Sequence, residues 1–257
     1  MLTKSYSSRV TIALALGVFG AFVSKSHATV LLEDTLTAPD GTLFENHAPD
    51  IGNGGANWVE SADNNTGPPT LSINTSSTPG TNFVETQGSE RKYTATFTQP
   101  LAAGQTLTAQ VNALQTGGNF FAGLAGYSLD AGAGNDVAFF GHVNGTASVW
   151  SLAPSETAAT NVTATSDGND VHVATLTYAY DTGAATLSLD GTLVASATLA
   201  AQQPLDRLYF DNNNGGDLRF GATSTTPAFL VTATPEPASI GLAAFAAIGL
   251  LARRRRI

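Results

Sequence analysis

The chain contains no cysteine. No disulfide can hold it, so in an oxidising compartment its stability must come from a packed core. Positive charge is nearly missing from its middle. Of 11 Lys and Arg, Lys4, Arg9 and Lys25 fall in the first 28 residues, and Arg253, Arg254, Arg255 and Arg256 close the chain. Between residues 29 and 234 only Arg91, Lys92, Arg207 and Arg219 face nineteen acidic residues, a net charge of −15. A span this acidic repels phosphate backbones, which argues against nucleic acid as a partner. Between the ends, no stretch shows a 3.6-residue apolar period of helical length.

What is present there favours strands. Charged residues are only 12% of the chain, Gly numbers 26, and short runs alternate apolar with polar residues. Lys92 to Thr98, Thr106 to Asn112, Val171 to Tyr180, Ala185 to Asp190 and Thr192 to Thr198 are the plainest. Asp181-Thr182-Gly183 and Asp190-Gly191 supply hairpin turns between them. About a dozen strands at this spacing, with no helices between, predict an all-β antiparallel sandwich or jelly roll. No fixed period repeats, which disfavours a propeller or solenoid.

The two ends are different in kind. Lys4 and Arg9 precede the apolar run Val10 to Val23, and Ser26-His27-Ala28 places small residues where signal peptidase inspects them. The run is too short to span a bilayer, so a signal helix cleaved after Ala28 is expected. At the other end Pro235-Glu236-Pro237 precedes the uncharged run Ala238 to Ala252, followed by the four arginines. The prolines leave the backbone extended. The arginines Arg253, Arg254, Arg255 and Arg256 stop transfer on the cytoplasmic side, so the acidic span lies outside. Fifteen helical residues reach only about 22 Å against a hydrocarbon core of about 30 Å, a marginal span that suits a temporary anchor.

This order of Pro-Glu-Pro, apolar helix and terminal arginines resembles the PEP-CTERM sorting signal of Gram-negative bacteria. The resemblance implies recognition by an exosortase, a membrane cysteine transpeptidase-like enzyme, and a cut near Pro235, Glu236 and Pro237, the processing motif. It also implies a secreted or surface protein of bacteria that build exopolysaccharide or biofilm matrix, transiently anchored in the inner membrane. The expected division is a signal peptide at 1–28, a β-sandwich at 29–222, a Thr/Ala-rich linker at 223–233 and the sorting signal with its transmembrane helix at 234–257. His172 to Leu199, with Arg207 to Phe210, Leu218 to Gly221 and the opening Leu32 to Leu43, resembles laminin-G-like and concanavalin A-like sandwiches.

Candidate chemistry inside the sandwich is sparse. Concanavalin A-like glucanases set carboxylates at alternating positions of one strand, and no Glu-x-Asp-x-x-Glu pattern occurs here. Glu85 and Glu90, five apart, would face opposite sides of a strand. No Gly-x-Ser-x-Gly elbow appears, and His47, His142 and His172 are far apart in sequence. A non-enzymatic structural or binding domain is therefore expected, the alternative being a carbohydrate-binding module or glycan-active enzyme, with polysaccharide as the partner. No cofactor is required. Oxygen-rich residues 211–217 nominate Asp211, Asn213 and Asp217 as candidate calcium ligands, set in a polar hairpin loop whose composition turns alone would explain. Asp130 and Asp136 make a weaker calcium case. Trp58, Tyr127, Trp150 and Tyr178 fit either a sugar-stacking platform or the core, and the core is the commoner place for strand aromatics.

Overall fold

The computed structural model describes residues 27–60, 71–75, 82–85, 91–113, 124–142, 149–156, 162–165, 172–213, 218–223 and 225–236. Sixteen strands and two short 3-10 turns appear among them. They form two antiparallel sheets packed face to face. The all-β sandwich is thus as expected. The expected signal helix and transmembrane helix fall outside the described residues. Among those described, no helix is long and apolar enough to cross a membrane.

The first sheet is built on β6 (Gln105–Ala113). On one side it continues through β11 (His172–Ala179), β12 (Ala184–Leu189) and β13 (Thr192–Thr198). On the other side β6 meets two strands. One is β15 (Arg219–Ala222), which leads to β4 (Asn82–Glu85) and β3 (Asn74–Thr75). The other is β16 (Phe229–Pro235), which also pairs with β1 (Thr29–Asp34). The second sheet runs in the order β10 (Val162–Thr165), β9 (Val149–Ala153), β8 (Asp136–His142), β7 (Leu124–Asp130), β14 (Arg207–Asn213), β5 (Arg91–Thr96) and β2 (Val59–Glu60).

Alternation explains the first sheet. In β6, Leu107, Ala109 and Val111 are buried while Thr106, Thr108 and Gln110 face out. The same period of two governs β11 and β12. The turn between β12 and β13 uses Asp190 (φ +50°) and Gly191 (φ +78°), the left-handed pair a tight hairpin demands. At Gly183 (φ +68°) a Cβ would strike the Leu199 carbonyl, so only glycine closes that turn.

The core is aromatic at its centre. Phe210 of β14 and Phe220 of β15 lie 4.7 Å apart between ring centroids, and Phe220 and Phe229 are equally close. Phe44, Trp58, Tyr93 and Tyr127 surround them. Offset and edge-on rings at such distances add to the area they bury. Phe229 therefore corrects one boundary. Residues 223–233 were expected to be a linker, yet from Phe229 onward they form a strand with a neighbour on each side. Phe229, Val231 and Ala233 face the core while Leu230, Thr232 and Thr234 face out. That alternation is a strand signal written in small and hydroxyl residues.

Candidate functional site

The processing motif begins inside the sandwich. β16 ends at Pro235, opposite Gln105 of β6. Proline has no N–H to offer a further strand on the side away from β6. The next residue is still held. Glu236 N–H donates to the Gly104 carbonyl (2.7 Å), and its Oε1 accepts from the Thr106 hydroxyl (3.3 Å). The Thr234 hydroxyl donates to the Thr106 carbonyl (3.3 Å), and Gly104 N–H donates to Asp181 Oδ2 (3.1 Å). Pro237, the apolar run and Arg253 to Arg256 lie outside the described residues.

The other end of the chain meets the same strand. Thr29 opens β1 opposite Ala233, so the expected signal-peptide junction after Ala28 lies beside the last turn of the ladder on β16. The far end of β1 is fixed by a buried network. Asp34, fully buried, accepts at Oδ1 from Leu36 N–H (2.7 Å) and at Oδ2 from the Trp58 indole N–H (2.7 Å). His47 Nε2 lies 2.8 Å from Oδ1. Three partners satisfy a carboxylate that would otherwise be costly to bury. The Asp34 carbonyl also accepts from Ala228 N–H (2.8 Å), just before β16. These contacts bridge 13 and 24 residues of sequence, and no local pattern signals them.

The second sheet carries the other polar cluster, on the face turned away from the core. Lys92 Nζ lies 3.7 Å over the Tyr209 ring, 3.5 Å from Glu156 and 3.9 Å from Asp211. The Tyr209 hydroxyl donates to Glu156 Oε2 (3.3 Å), and burial pushes its phenol pKa upward. Ser128 donates to Asp130 Oδ1 (3.2 Å). Burial, helped by the charge of Asp136, pushes the Asp130 carboxyl up to about 7, with Ser128, Lys92 and Arg207 pulling the other way.

The candidate calcium ligands divide. Asp211 and Asn213 belong to β14 and not to a hairpin loop, since the strand runs three residues beyond the expected Phe210. Asp211 sits beside the Lys92 ammonium, which opposes a divalent cation there. The side chain of Asn213 and all of Asp217 lie outside what is described. Among the described residues, no three acidic or histidine side chains converge to hold a metal ion. Glu90 and the side chain of Glu85 are likewise outside it.

The aromatic choice resolves towards the core. Trp58, Tyr127, Trp150 and Tyr178 are all buried, so they make no sugar-stacking platform. Two of the histidines, distant in sequence, meet the same ring, while His47 stays with Asp34. His142 and His172 both approach the Trp150 ring, at 5.5 and 6.4 Å between centroids. His172 Nδ1 also lies 2.6 Å from Asp190 Oδ2. Burial holds the His142 imidazole down at about 4.

Residues 233–256 match the PEP-CTERM protein-sorting motif. A comparison with curated protein sequences finds no match. Solved structures with similar folds include a non-specific endo-beta-1,3(4)-glucanase from family GH16, 9% identical, covering 81% of this chain and 92% of that one at a TM-score of 0.47. The globular domain of T. cruzi calreticulin is 12% identical, covering 81% and 89% at 0.43. A Bacillus licheniformis beta-glucanase is 11% identical, covering 79% and 97% at 0.38. The chain carries the sorting motif of an exported protein, and that motif implies processing by an exosortase.

Proposed function

We propose that this is a cell-surface or extracellular-matrix protein of a Gram-negative bacterium, whose sandwich is a non-catalytic structural or binding module. A signal peptide delivers it, signal peptidase removes residues 1–28, and residues 238–252 hold it briefly in the inner membrane. Exosortase then processes it at Pro235, Glu236 and Pro237. The observation that carries the reading is the sorting motif over residues 233–256. The start of β1 and the end of β16 lie at the same end of the sheet, Thr29 opposite Ala233, which would send both terminal segments towards one side.

The non-catalytic reading draws on how the acids are used. Asp130 is raised towards neutrality, as a general acid would be, but only 2% of it is exposed and Ser128 occupies its carboxylate. Asp34 is fully buried and has three partners. Neither carboxylate is open to solvent. Polysaccharide is the alternative bound partner, although Tyr209 is only 1% exposed and the Lys92 ammonium covers its ring. A glycan array blank with and without calcium would remove it and leave the structural role.

The sorting reading is tested by expressing the tagged full chain in a Gram-negative host with and without an exosortase. The expected result is a shorter, surface-delivered form that depends on the enzyme. The same size and the same inner-membrane residence in both hosts would overturn it.

A further inference from the structure

The matched sorting motif starts at Ala233, inside β16, not after the folded domain. Its first residues therefore serve two roles. Ala233 packs in the core, and Thr234 and Pro235 stand opposite Thr106 and Gln105 on β6. Glu236 is tied by its amide to Gly104 and by its carboxylate to Thr106. A peptidase generally takes its substrate as an extended strand and needs the backbone groups of that strand free to pair. Along β16 those groups are already engaged, by β6 on one side and, as far as Ala233, by β1 on the other.

A cut within or before β16 would also damage the domain. Phe229 touches Trp58, Tyr127, Phe210 and Phe220, so removing its strand opens the aromatic centre. Resting on the sorting reading, we infer that the folded domain sets its own processing boundary. Gly104 and Thr106 form a seat for Thr234 to Glu236, and the tail is cut on the C-terminal side of Glu236. In that step a peptide C–N bond breaks. Its acyl carbon takes water or an acceptor amine, and the nitrogen of the departing tail takes the proton. Glu236 stays with the mature protein, and β16 remains whole.

Two measurements test this. The intact mass of the protein made in exosortase-containing cells should give one C-terminus at Glu236 or later. A mature C-terminus at Pro235 or earlier would overturn the boundary, and an uncut chain would overturn the sorting reading beneath it. Hydrogen exchange on the uncut full chain, purified in detergent from cells without the enzyme, tests the seat independently. The Glu236 amide should exchange at least tenfold slower than its unstructured rate, and Thr106→Val should reduce that protection. A Glu236 amide exchanging at the unstructured rate would remove the seat.

Discussion

The two sheets turn very different surfaces away from the core they share. On the first, Ser196, Thr186, Thr177, Thr108 and Thr232 stand side by side on five neighbouring strands. Ser188, Thr175, Gln110 and Leu230 form the adjoining row. The first row contains no charge, and the second meets one only where it reaches Glu33 of β1, opposite Leu230, although the span from 29 to 234 carries −15. On the second sheet, the corresponding face holds Lys92, Asp211, Tyr209, Ser128 and Asp130, and beside them Phe139 and Ala153 form a small buried cluster of their own. Charge and burial coincide there. The difference teaches that the first sheet's outer face only has to stay wet, while the second sheet's outer face is a packed environment. Sensitivity to substitution and to pH should therefore concentrate on the second sheet.

The largest contrast should come from Tyr209. It is 1% exposed on the outer side of β14, carries the Lys92 ammonium on its ring and donates to Glu156. Tyr209→Ala should cost about 3–5 kcal/mol, the range for losing a buried aromatic. Denaturant midpoints of the mature exported protein measure this. A loss below about 1 kcal/mol would break the comparison, because it would make this face as tolerant as the first.

Acidity should sharpen it next. The native Asp130 carboxyl titrates near 7 against an ordinary 3.8, so the native state favours its neutral form. That contribution is complete below about pH 4 and is lost as pH rises towards 7. His142 behaves oppositely. Its native pKa is about 4 against 6.5, so its contribution is complete above 6.5 and is lost as pH falls towards 4. Both residues are on the second sheet, on adjacent strands β7 and β8. Between pH 4 and 6.5 the two slopes cancel, each being about 1.4 kcal/mol per pH unit for one proton. Asp130→Asn should leave the His142 slope alone, so stability climbs with pH across that window. His142→Gln should make stability fall across it. Denaturation at pH 4.5, 5.5 and 6.5 reads both signs, and parallel curves for the two variants would defeat the assignment.

Gly126 offers a smaller and more local effect. The Phe139 ring lies over it, and a Cβ there would meet that ring and the Phe140 carbonyl. Gly126→Ala should cost about 1–3 kcal/mol through overpacking. Pairing it with Phe139→Ala, which empties the space, should recover part of that loss. Additive effects in the double variant would show that the ring is not the obstacle.

The same contrast explains what could be read in the sequence. The first-sheet strands Thr106 to Asn112, Val171 to Tyr180, Ala185 to Asp190 and Thr192 to Thr198 were legible because one face is wet and the alternation is clean. Lys92 to Thr98, on β5 of the second sheet, was legible for the same reason. In β8 every residue from Val137 to His142 is buried, so no period of two marks it. β16 was hidden for another reason: its outward residues and Ala233 resemble a Thr/Ala linker, and only Phe229 and Val231 betray a buried face. The Pro-Glu-Pro tripeptide could be read directly. Its seat could not, since Thr106 and Glu236 are 130 residues apart and meet only through the register of β16 on β6.

The smallest effect belongs to the first sheet. The Thr177 and Thr186 hydroxyls lie 2.6 Å apart on adjacent strands, a hydrogen bond at the middle of the neutral row. Both are partly open to water, so each can exchange the bond for one to solvent. Net cross-strand pairs of this kind contribute about 0.2–1 kcal/mol. Valine keeps the β-branched shape and the strand preference that threonine supplies. Thr177→Val, Thr186→Val and the double variant should each stay within about 0.5 kcal/mol of the parent, with a coupling energy no larger. The double-mutant cycle is the measurement. A coupling above about 1 kcal/mol would mean that the row is desolvated, and the outer faces of the two sheets would then differ in charge but not in packing.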